Sequence, residues 1–289
     1  MASEAQIREA LFASMAPVEE TELWFQGLIY GESGVGKTVA AMEIAQAVAK
    51  KEILYVDAVK GWVSLRNHPE LMRNVTRMPY QGLSQIQAFV DAYTVGDERA
   101  TRFDTMVVDE ISVIAQLDLD NVHKAAVINE AKGVDPDTPQ WPEMNANTHR
   151  VRRITIALGK LDLNLIFLAH IREDKDAKKG YAVTRPEFMP KTSTTVRNAL
   201  ALVSYMSADE AHIDGKPAYV RKHQVHPTKT VVAKSRIGGL GVHTTTSKLV
   251  EVIPEWMGGR VESIEVQDVI DDTTPAHLRD DEDPVIEVQ

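Results

Sequence analysis

A mainly parallel α/β fold built around a phosphate-binding loop is what this sequence predicts, and three observations carry the prediction. Residues 31–38 read Gly-Glu-Ser-Gly-Val-Gly-Lys-Thr, a complete G-x-x-x-x-G-K-[ST] pattern. It lies between an apolar, β-prone run, Leu28-Ile29-Tyr30, and a stretch from Val39 to Val48 with small and apolar residues at helical spacing. Further along, apolar runs of strand length alternate with amphipathic segments, the order of a parallel sheet flanked by helices.

The elements follow in sequence. Residues 4–14 read as a short helix, part of an N-terminal segment over 1–20. A strand over 23–30 enters the loop and a helix over 37–50 leaves it. Ile53 to Asp57 is a strand ending in an acid, and Val75 to Pro79 a third strand. Gln85 to Tyr93 is helical, since Ile86, Phe89, Val90 and Tyr93 share a face. Phe103 to Glu110 is an apolar strand ending in two carboxylates. Residues 118–147 are polar and hold Pro136, Pro139 and Pro142, which predicts a loop inserted into a core spanning 21–261. Residues 147–161 form a basic-headed helix with His149, Arg150, Arg152 and Arg153. Leu163 to His170 is a buried-type strand ending in histidine. A long mobile loop is expected over 172–197, then strands over 200–206, 217–225 and 229–234. Residues 262–289 read as a disordered acidic tail.

The 289 residues are 44% apolar and 26% charged, an ordinary globular composition. No apolar run approaches the length of a membrane span, and no secretory signal pattern opens the chain. The absence of cysteine excludes disulfides and thiolate metal sites, and fits a cytoplasmic setting. The net charge of −10 is local: residues 262–289 hold ten acids and one base, leaving 32 of the 42 acids and 31 of the 32 bases in residues 1–261. Residues 215–250 carry seven Lys and Arg and no acid. A basic face with a detachable acidic tail suits a protein that meets nucleic acid; a solvated edge strand beside a disordered end is the competing reading.

The loop names its own ligands. Gly31, Gly34 and Gly36 let backbone N–H groups turn inward onto phosphate oxygens, with Glu32, Ser33 and Val35 completing the cradle. The positive end of the following helix adds to the pull. Lys37 reaches the β- and γ-phosphates, and Thr38 ligates Mg²⁺. ATP and Mg²⁺ are therefore the expected ligands. Asp109 stands where a phosphate-loop enzyme needs its magnesium acid. Glu110 then polarises the attacking water, or else serves only as an acid at a helix start. His170 ends its strand as a γ-phosphate sensor or as a residue bonded to nearby backbone. Lys234 and Arg236, two apart on one strand face, contact phosphates or solvent.

In this ordered set of motifs, over roughly residues 20–250, the chain resembles the RecA-like recombination ATPases, and most their small phage-encoded relatives of the single-strand-annealing group. Val107-Val108-Asp109 matches the family's magnesium-acid strand, and Phe167 to Arg172 its sensor strand. The resemblance implies a homo-oligomer, ring or filament, with ATP at subunit interfaces. Lys234-Ser235-Arg236-Ile237 looks like the element that reaches ATP on the neighbouring subunit. The helix at 147–161 and the segment 173–195 fall where the family binds DNA, which implies single-stranded DNA contacts from Arg150, Arg152, Arg153, Lys175, Lys178, Lys179 and Arg185, with Tyr181 stacking on a base. The tail then competes with DNA or recruits a single-strand-binding or replication protein. One departure stands out. The family's glutamate follows an aspartate by two residues, but Asp57 is followed by Ala58 and Val59, so Glu110 is its expected replacement. A DnaB-like or packaging motor, a small-molecule kinase and a nucleotide-switched scaffold are the alternatives.

Overall fold

The computed structural model describes residues 12, 22–129, 134–175, 180–187, 197–213 and 216–258. The predicted helix over 4–14 (except Phe12), the acidic tail, and Lys178 and Lys179 lie outside these residues.

Strand β1 (Gln26–Gly31) leads through the loop into helix α1 (Lys37–Val48). Then come β2 (Glu52–Asp57), β3 (Val75–Pro79), α2 (Leu83–Thr94), the short α3 (Glu98–Thr101) and β4 (Phe103–Asp109). Helices α4 (Ile111–Ile128) and α5 (Trp141–Leu158) precede β5 (Asn164–Ala169). A hairpin of β6 (Ile171–Lys175) and β7 (Ala182–Pro186) follows. The rest is β8 (Leu202–Ile213), β9 (Lys216–Gln224), β10 (Lys234–Ser235), β11 (His243–Thr244) and α6 (Thr246–Met257).

Among the described residues, nine strands make one sheet in the order β11-β9-β8-β1-β5-β4-β2-β3, with β10 paired to β8. The six strands from β8 to β3 run parallel. The mainly parallel sheet flanked by helices is therefore as the motifs predict. Its central strands β1, β5, β4 and β2 are largely apolar on both faces because both faces are covered. Ile29, Tyr55, Val107 and Ile166 pack toward α1 and α6, while Leu28, Leu54, Val108 and Phe167 pack toward α2, α4 and α5. Buried Asp104 of β4 accepts from the backbone N–H groups of Lys50 and Lys51 at 2.7 and 2.9 Å, and so anchors the chain leaving α1.

Three expectations are corrected. Residues 118–147 are mostly helical rather than loop, because Pro142 sits in the first turn of α5, where a missing N–H costs nothing. Gln140 and Glu143 close a capping box there, and α5 begins six residues before the predicted start. The described part of the 172–197 segment is an antiparallel hairpin, with Arg172 opposite Arg185 and Lys175 opposite Ala182. The predicted strand over 229–234 shrinks to Lys234–Ser235, since Thr228 and Val231 bond to each other in a turn. Helix α6 has no counterpart in the sequence reading, as Pro254 in its last turns reads as a breaker.

Candidate active site

The phosphate loop lies at the end of β1, between β5 and β8. Gly36 sits at φ +100°, a backbone region open to glycine and strained for other residues, and caps the start of α1. Buried Lys37 points back into the loop, donating to the carbonyls of Gly31 and Glu32 at 3.1 and 3.0 Å. The cleft around it, about 600 Å³, includes Ser33, Gly34, Thr38, Asp109, Glu110 and His170 in its walls. The phosphate loop, Asp109 at the end of β4, Glu110 just after it and the strand-end histidine thus share one cavity.

Thr38 Oγ1 donates to Asp109 Oδ2 at 2.8 Å, and the Tyr55 hydroxyl donates to the same oxygen. Burial raises the Asp109 carboxyl to about 6, against the two donated hydrogen bonds, which favour the ionised form. Burial first, then the Asp109 charge, pushes the Tyr55 hydroxyl far above its ordinary value. A hydroxyl and a carboxylate at this spacing form a hard-oxygen donor pair, which suits Mg²⁺. Among the described residues no cluster of three His, Asp or Glu could hold a metal by itself.

Glu110 is buried and bridges Lys37 and His170. Its Oε1 lies 3.0 Å from Lys37 Nζ, and its Oε2 lies 2.6 Å from His170 Nε2. His170 is held in turn by its N–H donating to Ser112 Oγ at 3.1 Å and its carbonyl accepting from Glu187 N at 2.8 Å. Asp57 belongs to the scaffold. Its carboxylate accepts from Arg77 at 2.6 and 2.7 Å and from Gly61 N at 3.0 Å. Val59, where the family pattern has its glutamate, lines the cleft with an apolar wall. Gly61 packs against Asp109, and a Cβ there would collide with Asp109 Oδ2 and the Tyr55 hydroxyl.

Two residues of this site were not singled out from the sequence. Tyr55 is one; its signal was a hydroxyl in an otherwise aliphatic strand, two residues from Asp57 and so on the same face. Arg221 is the other. It extends from β9 to the phosphate loop of its own chain, and a Cβ on Gly36 would lie 2.8 Å from its Nε. Position along the chain gave no sign of this, since β9 and β1 are brought together only through β8.

The remaining candidates divide. Lys234 Nζ donates to the carbonyls of Arg197, Asn198 and Leu200 at 2.8–3.0 Å, and Arg236 donates to Asn198 O at 2.9 Å. Both therefore make contacts inside their own subunit, around the start of β8. Arg150 pairs with buried Asp118 at 2.8 Å, whereas Arg152 and Arg153 are exposed on the same helix. Arg185 and Arg172 both pair with Asp174, at 3.1 and 2.7 Å. Lys175 is exposed at the end of β6, and Tyr181 is half-buried just before β7. The basic segment 215–250 does not form one face. His223 is fully buried between Ser204 and Thr246, Arg221 turns to the cleft, and Lys222 and Lys248 pair with Asp209 and Glu251.

Among the described residues no helix is long and apolar enough to cross a membrane. No curated protein matches the chain. Among solved structures, the flagellar accessory protein FlaH from Methanocaldococcus jannaschii is 15% identical, over 76% of this chain and 83% of that one, with a TM-score of 0.38. The RadB recombinase is 16% identical over 69% and 79%, at 0.38. The assembled ATPase EscN of the enteropathogenic E. coli type III secretion system is 15% identical over 64% of this chain and 43% of its own, at 0.39. A family model described as an AAA domain, AAA_24, matches residues 25–237, which include every cleft residue named above, and the chain belongs to that P-loop ATPase family.

Proposed function

We propose that this protein is an oligomeric, Mg²⁺-dependent ATPase that acts on single-stranded DNA, in phage recombination, strand annealing or replication. The observation that supports it most is the bridge from Lys37 through Glu110 to His170. It places a carboxylate beside the phosphate-binding ammonium and ties that carboxylate to the strand that leads into the β6–β7 hairpin.

Hydrolysis follows from these groups. The triphosphate takes the Lys37 ammonium, which frees Glu110 Oε1. A water oxygen forms a bond to the γ-phosphorus while the bond from that phosphorus to the β,γ-bridging oxygen breaks. Glu110 accepts the water proton, and ADP and phosphate leave. Thr38 and Asp109 would hold Mg²⁺, which would supply neutralisation of phosphate charge. Arg221 adds a cation from the same subunit, and Lys234 and Arg236 act on the neighbouring subunit's nucleotide. When Glu110 shifts, its contact with His170 shifts too, and the hairpin follows. Arg152, Arg153 and Lys175 are then the exposed described cations for phosphate contact, which gives binding with little base preference from that source. The acidic tail competes for these cations or recruits a replication partner.

The deciding experiment is ATP hydrolysis with Mg²⁺, with and without single-stranded DNA, with Lys37→Ala as the blank. Stimulation by DNA upholds the reading. Turnover indifferent to DNA rejects the DNA role, and no turnover rejects the ATPase role.

A further inference from the structure

The Asp109 carboxylate is held from two different elements. Thr38 Oγ1, at the start of α1, donates to its Oδ2 at 2.8 Å, and the Tyr55 hydroxyl of β2 donates to the same oxygen. Asp109 and Thr38 line the nucleotide cleft, whereas Tyr55 stands behind them with its ring in the apolar core. A hydroxyl has one proton to donate. Thr38, with its proton on Oδ2, therefore turns its lone pairs away from that oxygen.

The turn after β2 closes over this contact. Ala58 N donates to Asp109 O at 2.7 Å, and Gly61 N donates to Asp57 Oδ1 at 3.0 Å. Arg77 donates to Asp57 Oδ2 at 2.6 and 2.7 Å and so fixes the turn from β3. Gly61 is thereby seated on both the carboxylate and the phenol, with no room for a side chain. The turn that has no glutamate at Val59 thus serves to enclose the Tyr55–Asp109 contact.

We propose that Tyr55 is a positioning residue: it fixes the Asp109 carboxylate for Mg²⁺, and so sets the Mg²⁺ affinity of the nucleotide-bound site, without itself touching metal or nucleotide. The proposal rests on the Mg²⁺-dependent ATPase reading above and adds to it the residue that determines the metal requirement. Mg²⁺ demands near-ideal octahedral geometry, so a carboxylate free to rotate is a poorer ligand than one already oriented. Loss of a group that orients a ligand typically costs roughly 10–100-fold in metal affinity.

The test is calorimetric titration of the full chain with a non-hydrolysable ATP analogue, in EDTA and over a series of Mg²⁺ concentrations. The readout is the Mg²⁺ concentration that gives half of the gain in analogue affinity. Tyr55→Phe keeps the ring in the core and removes only the hydroxyl. It should raise that concentration roughly 10–100-fold. In an Asp109→Asn background the same substitution should change nothing further, because Tyr55 acts through Asp109. Gly61→Ala, which pushes on Asp109 Oδ2 and leaves the phenol in place, should raise the concentration too, and carries the test alone if Tyr55→Phe does not fold. A purely structural role for Tyr55 would lower the urea midpoint and leave the Mg²⁺ concentration at its wild-type value. That result, or a further Mg²⁺ effect of Tyr55→Phe in Asp109→Asn, overturns the proposal and leaves the ATPase reading standing. Analogue binding by the wild-type chain that ignores Mg²⁺ overturns the metal reading itself, and the proposal with it.

Discussion

Lys37 and Glu110 form a buried ion pair at 3.0 Å across the mouth of the phosphate loop. In this state the ammonium that should meet phosphate is already neutralised by the carboxylate that should meet water. Nucleotide binding must break the pair, and the freed carboxylate remains bonded to His170.

Glu110→Gln separates the two roles. Nucleotide affinity should be kept or rise, since no anion competes for Lys37. Turnover should fall by a factor on the order of 10²–10⁴, the usual contribution of a positioned base. Filter binding beside phosphate release measures both, and unchanged turnover would remove Glu110 from the chemistry.

Arg221→Ala should weaken ATP binding or slow its turnover by roughly tenfold, as expected for one charge-assisted contact. The loss should not depend on protein concentration and should not be rescued by mixing with Glu110→Gln, because Arg221 serves its own subunit's loop. Arg236→Ala should behave the opposite way, keeping nucleotide binding and regaining activity in mixed oligomers. If both variants respond alike to mixing, the division between own and neighbouring subunit fails.

Arg150→Ala should lower stability by about 2 kcal/mol, because it leaves Asp118 buried with one charge partner fewer. Arg152→Ala and Arg153→Ala should leave stability within about 0.5 kcal/mol and weaken DNA binding instead. Urea unfolding paired with DNA titration distinguishes them. A stable Arg150→Ala chain would return that residue to the set of free DNA-binding cations.

Buried His223 has its imidazole pushed down to about 4 by burial, from an ordinary 6.5. The unfolded chain therefore takes up this proton first as pH falls. The stability held by the neutral ring is complete above pH 6.5 and disappears progressively toward pH 4, a loss of about 3 kcal/mol. Denaturant unfolding between pH 7.5 and 4 should show this slope, and His223→Gln should flatten it. An equal slope in the variant would assign acid sensitivity elsewhere.

The sequence by itself determined the chemistry of the loop and the parallel core. Gly31 to Thr38, the run Val107-Val108-Asp109-Glu110 and Leu168-Ala169-His170 are local patterns, in which periodicity and end position set which residue emerges at the strand terminus. That rule put Lys37, Thr38, Asp109, Glu110 and His170 in one cleft before any distance was known. The tertiary structure alone decided what each of these groups touches. Tyr55 reaches Asp109 because β2 lies beside β4, and Arg221 reaches Gly36 because β9 returns past β8. Arg150 is bound to Asp118 by the packing of α4 on α5. The basic stretch 215–250 showed its charges but not their directions, and folding turned His223 inward, Arg221 to the cleft and Lys234 onto backbone carbonyls. Charge and period are properties of neighbours along the chain; partnership depends on segments far apart in sequence, which only the sheet order brings together.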